Sequence, residues 1–128
     1  MLNVVDSSGW LEYFADGPNA GFFAPTIEST PDLVVPVICL FEVFKRIQVQ
    51  RGEGAALKAA AAMQQGRVLE ISSSLAITAA SLSCQSGLPM ADSFILAAAR
   101  SLDAELWTQD KDFEGLPGVR FTPKQGLA

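Results

Sequence analysis

A chain of 128 residues, 49% apolar and 18% charged, is sized for one domain with a real core, which excludes a disordered tail or a collagen-like repeat. It contains no histidine and only two cysteines, Cys39 and Cys84, so imidazole acid–base catalysis, Ser-His-Asp and Cys-His nucleophiles and His- or Cys-only zinc sites are all excluded. The net charge is −5, from 14 acids against 9 bases, so charge alone does not draw the chain to nucleic acid.

Leu2 to Val5 is a short apolar run of strand length, and Asp6-Ser7-Ser8 offers N-cap chemistry to a helix carrying Trp10, Leu11, Tyr13 and Phe14. Asp16-Gly17-Pro18-Asn19 breaks the chain. A second helix with Phe22, Phe23 and Ile27 ends near Thr30-Pro31, and Leu33-Val34-Val35 is a second buried strand. Pro36 stands where a helix begins. Val37 to Gln50 is then a long helix stopped by Gly52, and Glu53 to Gln65 an alanine-rich one stopped by Gly66. Val68 to Ile71 is a third strand. Ser72-Ser73-Ser74 caps a helix that runs to about Ser86 before Gly87. Pro89 starts another, reaching about Leu102. Ala104 to Trp107 is a fourth strand and Val119-Arg120-Phe121 a short fifth. Short apolar strands alternating with helices imply a single α/β domain over residues 1–128 with a small, mostly parallel sheet. The first residues lack the basic start of a secretory leader, and no apolar run approaches the roughly 20 residues of a membrane span. With no disulfide pattern, the expectation is a soluble cytoplasmic protein, free of membrane.

Ligands of a parallel sheet bind beyond the carboxyl ends of its strands. Asp6 follows the first strand, and reads as a helix cap or as a site carboxylate. Glu42 lies one turn into the helix after the second strand, among Leu40, Phe41, Val43 and Phe44. It reads as a surface partner of Arg46 or as a half-buried functional acid. Asp92 extends the stripe of Ile95 and Ala99, as a first-turn acid favoured by the helix dipole or as part of a site. Asp110 and Asp112 follow the fourth strand, in a segment where acids are ordinary loop residues. Together Asp6, Glu42, Asp92 and Asp110 map to one edge of one sheet. Four clustered carboxylates raise one another's pKa, and a divalent cation resolves the repulsion. All-oxygen ligands suit Mg²⁺ or Mn²⁺ rather than zinc.

Val5-Asp6-Ser7-Ser8, the helix-borne Glu42, Pro89-Met90-Ala91-Asp92-Ser93-Phe94-Ile95 and Thr108-Gln109-Asp110-Lys111-Asp112-Phe113 resemble, in order and spacing, the four signature segments of PIN domains. Within that family they resemble the VapC toxins of toxin–antitoxin pairs. The resemblance implies a three-layer α/β/α fold and a metal-dependent endoribonuclease that hydrolyses RNA phosphodiester bonds with a metal-activated water. It carries over Asp6, Glu42, Asp92 and Asp110 as the catalytic, metal-holding quartet, with Mg²⁺ as cofactor and Mn²⁺ as a substitute. Asp112 matches a further acid ranked below the quartet, and Ser7 and Thr108 match supporting hydroxyls. A homodimer and a cognate antitoxin lying along the toxin are implied as well.

Taking the quartet from the 14 acids leaves ten against 9 bases. Five bases, Lys45, Arg46, Arg51, Lys58 and Arg67, crowd one middle segment, either as a solvated helix face or, with Lys45, Arg46 and Arg51 foremost, as contacts to RNA backbone. Trp10, Tyr13, Phe14, Phe22 and Phe23 are core aromatics or the lining of a groove for a partner helix. The cysteines read as small buried hydrophobes. A receiver domain would show paired acids after the first strand, and a haloacid-dehalogenase-like phosphatase an acid at position 8, where this chain has Ser8. The remaining alternative is a non-catalytic PIN-like module that binds protein or RNA. The intact quartet argues against it.

Overall fold

The computed structural model describes residues 1–125. Its elements are β1 (Asn3–Val5), α1 (Ser7–Phe14), α2 (Ala20–Glu28), β2 (Leu33–Pro36), α3 (Val37–Arg51), α4 (Glu53–Met63), β3 (Arg67–Leu69), α5 (Ser73–Ser86), α6 (Met90–Ser101), β4 (Glu105–Thr108) and β5 (Val119–Phe121). Single 3₁₀ turns cover Thr30–Asp32 and Lys111–Phe113. The helix boundaries follow the local chemistry: Asp6 caps α1 by accepting from the backbone N–H of Gly9, and Ser72 caps α5 by accepting from that of Leu75. Gly87 ends α5 at φ 75°, a left-handed conformation that costs glycine little.

The five strands form one sheet in the order β3-β2-β1-β4-β5, and every pairing is parallel. β1 is central, with Val4 opposite Val34 on one side and Leu106 on the other. Val4, Val5, Val34, Val35 and Leu106 are buried, as a sheet covered on both faces requires. From β1 the chain steps through β2 to β3, then crosses back to β4. Right-handed crossovers put the helices joining β1, β2 and β3 on one face and α5 and α6 on the other. The reversal of strand order makes the carboxyl ends of β1 and β4 a switch point, where a parallel sheet opens a crevice for ligand.

Two details depart from the sequence pattern. β3 ends at Leu69 and leaves Ile71 exposed, because β3 is an edge strand paired only with β2 and half-buried at best. Cys84 is exposed on α5 while Cys39 is buried under α3, so only one of the two cysteines is a core residue. The aromatic hairpin divides. Trp10 and Phe23 are wholly buried, and Tyr13, Phe14 and Phe22 pack at the core margin, partly exposed. No helix among the described residues is long and apolar enough to cross a membrane.

Candidate metal centre

The crevice at the ends of β1 and β4 is lined with acids from four separate segments. Asp6 stands directly after β1 and is 2% exposed. Its carboxylate accepts from the Gly9 backbone N–H at 2.9 Å, from Ser8 Oγ at 2.9 Å and from Thr108 Oγ1 at 2.7 Å. Capping and site geometry therefore coincide: Asp6 starts α1 and faces the crevice with the same carboxylate. Burial pushes its pKa from 3.8 to about 6, against the pull of those three donors, and the charge of Asp110 adds to the rise.

Thr108 ends β4 and ties the two strand ends together. Its hydroxyl donates to Asp6 and accepts the backbone N–H of Asp110 at 2.9 Å. Asp110 then accepts the backbone N–H of Asp112 at 2.9 Å, which tightens the turn and brings both carboxylates to one side. Asp92, in the first turn of α6, reaches the same place. Ligand oxygens of Asp92, Asp110 and Asp112 lie within 4.8 Å of one another. No hydrogen bond to the Asp92 carboxylate is found among the described residues, so it does no work as a helix cap. Burial raises its pKa to about 7, with further lift from the charges of Asp110, Asp6, Asp112 and Glu42.

Glu42 is half-buried on α3 and accepts from Ser7 Oγ at 2.6 Å. Among the described residues it forms no ion pair with Arg46. Asp6 and Glu42 thus flank the cluster while hydroxyl groups hold them. Asp112, exposed on the 3₁₀ turn, takes a place in the tight group beside Asp92 and Asp110. Three hard oxygen donors, two of them partly buried and only the Asp110 carboxylate hydrogen-bonded among the described residues, fit a divalent cation of the Mg²⁺ or Mn²⁺ type.

The residue pattern did not single out the polar groups behind this arrangement. Ser8 grips Asp6, and buried Gln109 donates at 3.4 Å to the Ser8 carbonyl and to Glu12 Oε1 while accepting from Asn19 Nδ2 at 2.9 Å. Ser8 was readable only as part of a cap, and Gln109 only as a loop residue. Of the bases, Arg46 and Arg51 border a cleft lined also by Ser8 and Gln109, and Lys45 lines a second cavity with Arg46 and Glu42, its ammonium 5.8 Å from the Phe41 ring centroid. Lys58 and Arg67 are exposed on α4 and β3.

A family model, PIN domain, matches residues 4–119. The chain belongs to the PIN domain family. Solved structures similar to this PIN domain include a toxin–antitoxin complex from Klebsiella pneumoniae, at 26% identity and TM-score 0.78, covering 96% of this chain and 98% of that one. VapC20 of Mycobacterium tuberculosis, described as a sarcin–ricin loop cleaving toxin, matches at 20% identity and TM-score 0.76, over 90% of this chain and 95% of that one. A DNA-bound VapBC from Salmonella typhimurium matches at 19% identity and TM-score 0.74, over 96% and 98%. No match is found among curated proteins. The structural neighbours of this PIN domain are thus VapC toxin–antitoxin proteins, and its five-stranded parallel sheet places the acids at the switch point.

Proposed function

We propose that this PIN domain is a divalent-cation-dependent endoribonuclease and the toxin of a toxin–antitoxin pair. The observation that carries the reading is the approach of Asp92, Asp110 and Asp112 to within 4.8 Å at the crevice where β1 and β4 end. Like charges so close raise one another's pKa and favour a cation between them. Asp92, Asp110 and Asp112 would hold Mg²⁺ or Mn²⁺, with Asp6 and Glu42 completing the acidic wall. Such an ion, when bound, supplies positive charge that orients a phosphate and makes a water more acidic.

The chain's own residues supply the rest. Thr108 and Ser8 fix the Asp6 carboxylate by hydrogen bonds, so that it need not reorganise when a cation arrives. Ser7 does the same for Glu42. With no histidine in the chain, no imidazole can drive attack by a ribose 2′-hydroxyl, which favours hydrolysis by a metal-activated water. Resemblance to toxin–antitoxin complexes supports an antitoxin partner and a cytoplasmic setting, and a homodimer belongs to the same reading.

The test is cleavage of a mixed RNA pool with Mg²⁺ or Mn²⁺, comparing the parent protein with Asp92→Asn. Asparagine keeps the shape and the helix start but not the charge. Metal-dependent cleavage that vanishes in the variant, with the fold intact, is the expected result. Equal cleavage by both proteins, or cleavage that persists in EDTA, overturns the proposal.

A further inference from the structure

A cleft of about 360 Å³ opens beside the acidic crevice, between α1, the later turns of α3 and the segment after β5. Ser8 and Gln109 line the end nearest the acids: the Ser8 hydroxyl holds Asp6, and Gln109 directly precedes Asp110. Three cations, Arg46 and Arg51 of α3 and Lys124, line the rest. They are a third of the 9 bases of a chain whose net charge is −5. The acid in this lining, Glu12, is already engaged, accepting the Asn19 backbone N–H at 2.7 Å and Gln109 Nε2 at 3.4 Å.

The cleft is therefore a cationic trough whose Ser8 and Gln109 adjoin the anionic site. Its charge repels metal cations and suits a chain of phosphates. We propose that it seats the RNA backbone flanking the scissile phosphate, an inference that rests on the nuclease reading. The ligand class is single-stranded polynucleotide, because two lining residues, Ser8 and Gln109, adjoin Asp6 and Asp110, and the three basic residues are solvent-exposed. The middle-segment bases thereby separate into two sets. Arg46 and Arg51 face the trough, whereas Lys45 lines the groove between α3 and α4 and, with Arg46, a cavity that takes in Glu42. Lys58, exposed on α4, lines neither the trough nor the Glu42 cavity and is the internal control for charge without placement.

The experiment is fluorescence anisotropy of a short labelled single-stranded RNA, with Ca²⁺ replacing Mg²⁺ to spare the RNA, at several salt concentrations. The parent protein is compared with the double variant Arg51→Ala with Lys124→Ala, and with Lys58→Ala. Arg46 is left in place because it lies one turn from Glu42. The double variant is expected to bind about tenfold more weakly, with a log–log salt slope shallower by about 1.4, at about 0.7 per lost phosphate contact. Lys58→Ala is expected to move neither. In Mg²⁺ the double variant should raise KM for RNA and leave kcat unchanged. The proposal is overturned if the parent binds no RNA, if the double variant binds like the parent, if Lys58→Ala weakens binding as much, or if an acidic peptide of equal charge displaces RNA equally well. Binding through the cleft by a protein that cleaves nothing overturns the nuclease reading and leaves the cleft standing. Cleavage unaffected by the double variant does the reverse.

Discussion

Replacing Asp92 by Asn sets two effects of opposite sign against each other. In the metal-free protein the folded state raises the Asp92 pKa from 3.8 to about 7, through burial first and then the charges of Asp110, Asp6, Asp112 and Glu42. At about 1.36 kcal/mol per pH unit the full penalty for ionising it would be about 4 kcal/mol. The group is only half buried, so solvent screens much of that, and about 1–2 kcal/mol is the expected relief on removing the charge. Asn also forfeits the dipole attraction for an acid in the first turn of α6, about 0.3–1 kcal/mol. The balance leaves the metal-free variant more stable by about 1 kcal/mol near neutral pH, or about 4 °C in Tm for a domain of this size. The sign follows from linkage. A carboxyl whose folded pKa lies above its unfolded value costs nothing while both states are protonated, and destabilises increasingly as pH rises through the interval between the two values. The Tm difference between Asp92→Asn and the parent should therefore open between about pH 4 and pH 7 and stay constant above that. Adding Mg²⁺ should raise the parent's Tm and leave the variant's nearly unmoved. Thermal melts in EDTA and in Mg²⁺ across that range read all of this. A variant less stable than the parent near neutral pH, or a difference indifferent to pH, would show Asp92 to be an ordinary helix-start acid.

Asp6 should make the whole metal-free protein lose about 3 kcal/mol as pH rises from about 4 to 6, because its folded pKa of about 6 exceeds the unfolded 3.8; a urea midpoint that stays flat over that range would contradict this. Thr108→Val removes the 2.7 Å donor to Asp6 and the acceptor for the Asp110 N–H, and should cost about 1–3 kcal/mol in denaturant melts while pushing the pH response of Asp6 upward. Gly9→Ala would place a Cβ 2.7 Å from both the Phe23 ring and Val5 Cγ1, in a fully buried part of the core, and should destabilise by about 1–3 kcal/mol in denaturant melts. Thiol labelling should give one fast reaction, at Cys84, and a second, at Cys39, only on unfolding, since burial pushes the Cys39 thiol up and shields it; two fast thiols would mean that α3 is poorly packed.

Much of the fold is written in local pattern. The caps at Asp6 and Ser72, the stop at Gly87 and the strand–helix alternation depend on neighbours in sequence, and those elements stand where the pattern places them. The acids at strand ends follow from topology, because a parallel sheet presents its strand ends together. What sequence did not disclose is what depends on distant partners. Asp112 stands beside Asp92 because the Asp112 N–H bonds back to Asp110, a detail of one turn. Ser7 meets Glu42 across 35 residues, and Asn19 meets Gln109 across 90. Arg51 and Lys45 lie on one helix yet line different clefts, which helical rotation decides and composition does not.

The central position of β1 has a consequence for how the molecule comes into being. β1 is flanked by β2, made soon after it, and by β4, made about a hundred residues later. During synthesis Asp6 waits beside an unfilled gap in the sheet until Thr108 and Asp110 have emerged. No truncated translation product ending before β4 can gather the acids. The same last strands that complete the core therefore also assemble the acidic crevice.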